Sequence, residues 1–336
     1  MNQTVNKQIQ QVRERFERTY FNIRNYFTPP RPANAQGMGA IPNGSSTTFR
    51  VWAPNAARVY VSGSFNNWAK WKTPLAHEAN GYWSAQVPQA KAGDEYKFVK
   101  QRDDHLLLRT EPYTKDIARP FNNSVGSNGR FDWSSEEQTP FVPPALDEMV
   151  SYELHVGTFP ETNQPPANFY GVIEKLPYLK SLGINDIEIM PIADFEGDFS
   201  WGYNPANPFA VSRVYGGRSG LKALVKAAHQ HGIAVILDVV YNHFGPQSLD
   251  LWQFDGWSEN DMGGVYFYND WRSKTPWADT RPDYGRSEVR QYIRDNVMMW
   301  FEEYRLDGLR WDATSYIRNA HGHNDSGSDI PEGWQM

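Results

Sequence analysis

The stretch DGLRWDAT, residues 307–314, decides how this chain is read. Leu309 and Trp311 alternate with Gly308, Arg310 and Asp312, which is the period of a strand with one apolar and one polar face. The apolar side would meet covering helices, leaving an arginine and a carboxylate together on the other. Charges are costly to bury unless paired or used. The strand therefore carries either a structural Arg–Asp pair or part of a site.

Three segments of the same kind lie upstream: VSYELHV (150–156), DIEIMP (186–191) and IAVILDVV (233–240). Between them run the helical stretches VIEKLPYLKSLG, GLKALVKAAHQHG and SEVRQYIRDNVMMWFEEYR, two of which close with glycine as helix ends do. Apolar strands alternating with amphipathic helices imply a parallel sheet covered by helices. A doubly wound sheet and a (β/α)8 barrel both fit that pattern. No GxGxxG or P-loop follows a strand, which weighs against the nucleotide-binding versions. Asp194, Asp198, Asp238, Asn242, His243, Arg310 and Asp312 gather at the carboxyl ends of the strands, where a barrel builds its site.

Further upstream, FRVWAP, RVYVSGSF, GYWSAQVP and EYKFVK are short alternating runs separated by turns, as in a small β-sandwich. The expected architecture is multidomain. Residues 1–45 hold a helix (5–27) and a Pro/Gly-rich linker, 46–135 a β-sandwich, and 136–147 a second linker. Residues 148–336 form an α/β (TIM-barrel) domain of which about the first four β/α units are present.

A net charge of −6 gives no support for nucleic acid or an anionic membrane as partner. The absence of cysteine excludes disulfides, thiolate metal sites and a cysteine nucleophile. The first twenty residues hold no apolar signal-peptide stretch and no run reaches transmembrane length, so a soluble cytoplasmic protein is expected. The 13 Trp and 18 Tyr suit a core, and equally a sugar-binding surface.

In a strand, ILDVVYNHFGP puts Ile236, Asp238, Val240 and Asn242 on one face, so Asp238 can reach Arg310, and His243 lies just beyond. An arginine beside Asp312 favours its ionised form, the state in which a carboxylate attacks a sugar. SWGYNPANPFA (200–210) offers Trp201 and Tyr203 either to stack on a sugar or to pack the loop.

Taken together, YELHVGTF, IEIMPIADF, WGYNPANPFA, DVVYNH and DGLRWDA, in this order over about residues 148–319, resemble the α-amylase superfamily of glycoside hydrolases and transglycosylases. That resemblance implies Asp312 as nucleophile, with Arg310 and Asp238 beside it. It implies Asn242 and His243 as substrate-binding residues, and Tyr203 as a ring stacked on the sugar at the cleaved bond. The β-rich region resembles a glycogen-binding module through SGSFNNW and EYKFVK. Trp68, Lys97 and Asn122 match its sugar-contacting positions, while its second tryptophan has no counterpart around Asp104 and His105.

The implied partner is an α-glucan, and no cofactor or metal is called for. The implied activity is glucan branching, with release of trehalose from a maltooligosyl-trehalose as the alternative. A non-catalytic glucan-binding role is the alternative of another class. Glu332, the only glutamate beyond Asp312, sits in a Pro/Gly loop and is read as a loop residue without a catalytic part. The acid–base glutamate of the family is expected on a fifth strand. The chain is thus expected to be the N-terminal half of a longer enzyme, inactive alone on α-glucans.

Overall fold

A computed structural model describes residues 37–102, 105–127, 129–134, 140–245, 249–323 and 327–336. The helix expected over residues 5–27 lies outside the described residues. The chain divides into two compact units: Met1–Thr114 with Ala118–Asn128 and Phe254–Trp257, and Lys115–Ile117 with Gly129–Gln253 and Ser258–Met336. The division falls before the 135/136 boundary read from sequence.

The first unit holds two antiparallel sheets. One has the order β1 (Gly39–Asn43), β2 (Ser46–Trp52), β5 (Tyr82–Val87), β4 (Ala76–His77). The other contains β3 (Arg58–Gly63), β6 (Glu95–Arg102), β9 (Asn123–Val125) and β8 (Ile117–Ala118), with β7 (His105–Arg109) also paired to β6. The sheets meet through their apolar faces. Phe49 of β2 packs edge-on against Tyr96 of β6 at 4.8 Å, and both are buried. β1 falls inside the segment expected to be linker. Its proline, Pro42, lies on an edge strand opposite Thr47, where a missing backbone N–H costs no ladder bond on the outer side.

Phe254–Trp257 joins this unit through side chains of the sandwich. Asn55 donates from its main-chain N (2.8 Å) and Nδ2 (3.0 Å) to Asp255 Oδ2. The buried Lys100 ammonium donates to the Phe254 carbonyl at 2.9 Å.

The second unit is built on a parallel sheet in the order β10 (Ser151–Leu154), β11 (Asp186–Ile189), β14 (Ala234–Val239), β15 (Gly308–Trp311). A small antiparallel pair, β12 (Ala193–Asp194) with β13 (Asn207–Val211), lies between the second and third strands. Three longer helices separate the strands: α1 (Phe169–Ser181), α2 (Gly217–Gln230) and α3 (Ser287–Glu302). A short α4 (Thr314–Arg318) follows β15.

α1 starts where Asn168 Oδ1 accepts from Tyr170 N (3.0 Å) and Gly171 N (3.3 Å), capping two otherwise unpaired donors. It buries Phe169, Val172, Leu176 and Leu179, one stripe at helical spacing. Gly183 and Gly232 follow α1 and α2 with φ of +84° and +67°, a left-handed turn that glycine adopts without penalty. None of the described helices is long and apolar enough to cross a membrane.

Lys115 and Asp116 are held to α2 and the end of α3 by charge. Glu303, at the end of α3, receives Lys115 Nζ (2.6 Å), Lys222 Nζ (3.0 Å) and Arg218 Nη2, while Arg218 Nη1 pairs with Asp116 at 3.1 Å. Burial pushes the Glu303 carboxyl up, but the charges and hydrogen bonds of Lys115 and Arg218 more than offset this and hold it down at about 2.

Candidate active site

Strand register brings the polar residues together. Asp238 pairs with Arg310 across β14 and β15, and Ile236 pairs with Gly308, so Asp238 and Arg310 share the face read from sequence. Trp311 takes the other face, edge-on to Tyr241 at 4.9 Å and lining a cleft with Ile293 and Val297 of α3. Asp307 is structural: its Oδ2 accepts from Val235 N at 2.8 Å and lies 2.9 Å from His229 Nε2, tying the start of β15 to β14 and α2.

Arg310 Nη1 is the hub. It donates to both oxygens of Asp238 (3.0 and 2.9 Å) and to Asp312 Oδ1 (2.8 Å). Tyr203 OH donates to Asp238 Oδ2 at 2.7 Å, so the tyrosine of the 200–210 loop joins the same network. On the other side, Asn242 Nδ2 donates to the Asp312 carbonyl (3.0 Å) and to Asp312 Oδ2 (3.1 Å). Asp312 is thus held through Oδ1 by a cation and through Oδ2 by an amide. Its own backbone N is fixed on Val239 O at 2.9 Å.

Burial pushes the Asp238 carboxyl up, against the hydrogen bonds from Tyr203 and Arg310. The Arg310 guanidinium rises above its ordinary value despite its own desolvation, because Asp238 and Asp312 both bond to it, so it stays cationic. Burial and the donated hydrogen bond to Asp238 push the Tyr203 phenol up, leaving it a neutral donor. Glu188, the register partner of Ile236 on β11, is raised by burial and by the charges of Asp238 and Glu153. This face therefore gathers acids around one arginine.

The resemblance implies His243 as a substrate-binding residue. Here it is 1% exposed, with Nδ1 2.6 Å from Asn242 Oδ1 and Nε2 3.3 Å from Asn204 Oδ1. Burial pushes it down to about 4, against the pull of the Asp312 charge, so its imidazole is neutral near pH 7. Since Asn242 Nδ2 faces Asp312, its Oδ1 is left to accept from His243, and a hydrogen-bonded line runs from imidazole to carboxylate.

Trp201, in the segment between β12 and β13, is 71% exposed. Asp194 lies apart from the network: it is buried in the β12–β13 pair and accepts from Asn207 Nδ2 at 2.8 Å. Glu332 lies in the short turn Pro331–Gln335 and faces Arg272 Nη1 at 3.6 Å.

Sequence reasoning missed the residues that shape the 197–203 loop. His155 Nε2 lies 2.9 Å from both the Ser200 carbonyl and Tyr215 OH, and Tyr215 OH donates to Ser200 O at 2.8 Å. The signal was a histidine at the end of β10, in the YELHVGTF motif. Trp277 was missed as well. It stacks on His243 with centroids 5.1 Å apart and 19° between planes.

In the sandwich, Trp68 adopts φ +57° and its N donates to Gly63 O at 2.9 Å, at the end of β3. Lys97 lies on β6 opposite Ser62, close to that end, because Gly63 pairs with Tyr96. Asn122 (φ +52°) directly precedes β9, which pairs with the same stretch of β6 through Tyr96 and Ser124. Its Oδ1 accepts from Arg119 Nη1 at 2.6 Å.

Comparison with known proteins agrees with both units. The family model "Alpha amylase, catalytic domain" matches residues 118–276, and "Carbohydrate-binding module 48 (Isoamylase N-terminal domain)" matches residues 37–114. A malto-oligosyltrehalose trehalohydrolase from Saccharolobus solfataricus is 36% identical over 283 residues, covering 82% of this chain and 46% of the relative. A 1,4-alpha-glucan branching enzyme from Oceanobacillus iheyensis is 36% identical over 279 residues, covering 80% and 43%. The chain spans less than half the length of these curated relatives. A pullulanase from Paenibacillus barengoltzii, solved with maltohexaose and alpha-cyclodextrin, superposes with a TM-score of 0.72 at 21% identity, over 84% of this chain and 49% of that one. This last likeness concerns the fold alone.

Proposed function

Starting from a chain that belongs to the alpha-amylase family and carries a module of the carbohydrate-binding 48 family ahead of its catalytic segment, we propose that it is the nucleophile-bearing part of a retaining α-glucan enzyme, most like a 1,4-α-glucan branching enzyme. The observation that carries this reading is the Asp312 carboxylate, bonded by Arg310 at Oδ1 and Asn242 at Oδ2.

In such a reaction Asp312 attacks the anomeric carbon of an α-1,4 bond and forms a covalent glycosyl intermediate. Arg310 stays cationic and orients the carboxylate. Asp238, bonded to Arg310 and Tyr203, fixes that guanidinium and is the group next to the sugar ring. Tyr203 and Trp201 offer rings to the glucan, and Asn242 and His243 close the other side. A second carboxyl, about 5–5.5 Å from the nucleophile, must protonate the leaving oxygen. Glu332 faces Arg272 and is given no part in this, so the acid–base group is proposed to come from a segment matching the other half of the longer relatives. Transfer of the glycosyl unit to a glucan hydroxyl makes a branch; transfer to water is hydrolysis.

Trp68, Lys97 and Asn122 are proposed as the glucan contacts of the sandwich. The substrate is a glycogen- or starch-like polysaccharide or a maltooligosaccharide, and a cytoplasmic location suits that chemistry. The trehalohydrolase relative favours a second reading, hydrolysis of maltooligosyl-trehalose.

The test compares this chain with the longest polypeptide encoded by its reading frame, both incubated with amylose. New α-1,6 linkages made by the longer polypeptide, and lost by about 10⁴-fold on Asp312→Asn, support branching. Free trehalose from maltooligosyl-trehalose supports the second reading. Turnover of amylose by the 336-residue chain itself overturns the assignment of the acid–base residue.

A further inference from the structure

We propose that Trp277 is a sugar-stacking platform beside the nucleophile, an additional contact for the glucan that rests on the reading of this site as glucan-binding. The tryptophan lies in the long segment between β14 and α3. One face of its ring covers His243, and its ring meets Tyr316 edge-on at 5.1 Å and 71°. His243 beneath it is 1% exposed, while Trp277 itself is 49% exposed. The indole thus remains about half exposed although it is stacked on His243 and meets Tyr316 in a T-shaped contact, which leaves aromatic surface open to a ligand.

This indole is held in place before any ligand arrives. Thr275 Oγ1 accepts from Trp277 N (3.3 Å) and Ala278 N (3.1 Å), closing the turn that carries it. Thr280 Oγ1 donates to Phe244 O (2.6 Å) and Phe244 N donates to Thr280 O (3.1 Å), which pins the turn to the residue after His243. The fully buried Arg281 guanidinium clasps the carbonyls of Arg272 (2.5 Å), Lys274 (2.5 Å) and Ala320 (2.9 Å), joining this segment to the one after α4. A large flat side chain that is exposed yet immobilised loses little entropy on binding, and its apolar face suits the C–H face of a pyranose.

Its position ties it to the chemistry. Trp277 stacks on His243, His243 bonds to Asn242, and Asn242 bonds to Asp312 Oδ2. Tyr203 reaches the same carboxylate through Asp238 and Arg310 at Oδ1. A glucan with one unit at Asp312 thus has an aromatic ring attached to each oxygen's hydrogen-bond arm. Trp277 takes a neighbouring glucose unit.

Calorimetric titration of the 336-residue chain with maltoheptaose tests this, in a Trp68→Ala background that removes the aromatic one of the three contacts proposed for the sandwich. Trp277→Ala and Trp277→Leu are expected to weaken binding about five- to ten-fold, and Trp277→Phe about two-fold or less. The leucine variant keeps an apolar cover on His243 while removing the aromatic face, so a merely structural tryptophan predicts that Leu binds like the parent. Equal affinity of the Leu variant and the Trp68→Ala parent overturns the platform while leaving the glucan reading intact. Absence of maltoheptaose binding by both Trp68→Ala and the unmodified chain overturns the two together.

Discussion

At the scale of the residue, the site is defined by which groups hold a proton. His243 is neutral because it is buried, with a value near 4 against an ordinary value near 6.5. Its folded value lies below its unfolded value, so on acidification the unfolded chain takes up the proton first. Stability from this group is intact above about pH 6.5 and declines as pH falls toward 4, by about 3 kcal/mol in all. His243→Gln keeps a neutral hydrogen-bonding side chain and is expected to flatten that decline. Urea unfolding at pH 7, 5.5 and 4.5 measures it, and an unchanged pH slope in the variant would contradict the assignment. Much of this was legible beforehand: period-two alternation put Asp238 on a face from which it can reach Arg310, and the strand register makes them opposite. The burial of His243 was not, because it depends on Trp277 and Asn204, which lie on separate loops and meet the histidine only in space.

At the scale of the element, loops aim the side chains and helices hold the frame. Gly202 separates Trp201 from Tyr203 with φ +88°, and an added Cβ would stand 2.0 Å from the Pro191 carbonyl oxygen. Gly202→Ala is therefore expected to displace the loop and break the Tyr203–Asp238 bond. The expected result is about 1–3 kcal/mol of lost stability, read by thermal unfolding, with weakened maltoheptaose binding.

Glu303 is the counterpart in the frame. Its folded value of about 2 lies below the ordinary carboxylate value, so it contributes above about pH 4.5 and loses that contribution as pH falls through 2. Glu303→Gln leaves Lys222 and Arg218 without their shared acid and is expected to cost about 3 kcal/mol at pH 7 by urea unfolding. The cost should shrink toward pH 2. Two helix ends were readable because apolar stripes run into Gly183 and Gly232, whereas α3 ends at Glu302 without a glycine. β1 was not, because Pro42 and the surrounding glycines look like linker until an edge position makes the proline harmless. The Glu303 cluster was invisible for another reason: its five residues come from residues 115–116, α2 and the end of α3, and a charged residue in the sequence carries no sign of its partner.

At the scale of the whole molecule, two independent kinds of periodicity announced two units, alternating short runs and then strand–helix repeats. The boundary between them was less legible. Lys115 and Asp116 carry no local signal, yet their ion pairs put them with the second unit. The acid-rich inner face has a last consequence for the protein as a thermodynamic object. Arg310 is shared by Asp238 and Asp312, and Glu188 lies close enough to feel Asp238, so the site carries more negative charge than its cation balances. Under the proposed nucleophile role, the charge on Asp312 is kept at the expense of fold stability, and the two should be separable. Asp312→Asn keeps the shape and removes one charge, so the variant chain is expected to melt higher than the native one, by about 2–4 °C for roughly 1 kcal/mol. A melting temperature equal to or below that of the native chain would mean that the carboxylate stabilises its own site. If the variant does melt higher, it is the form in which to trap a bound glucan.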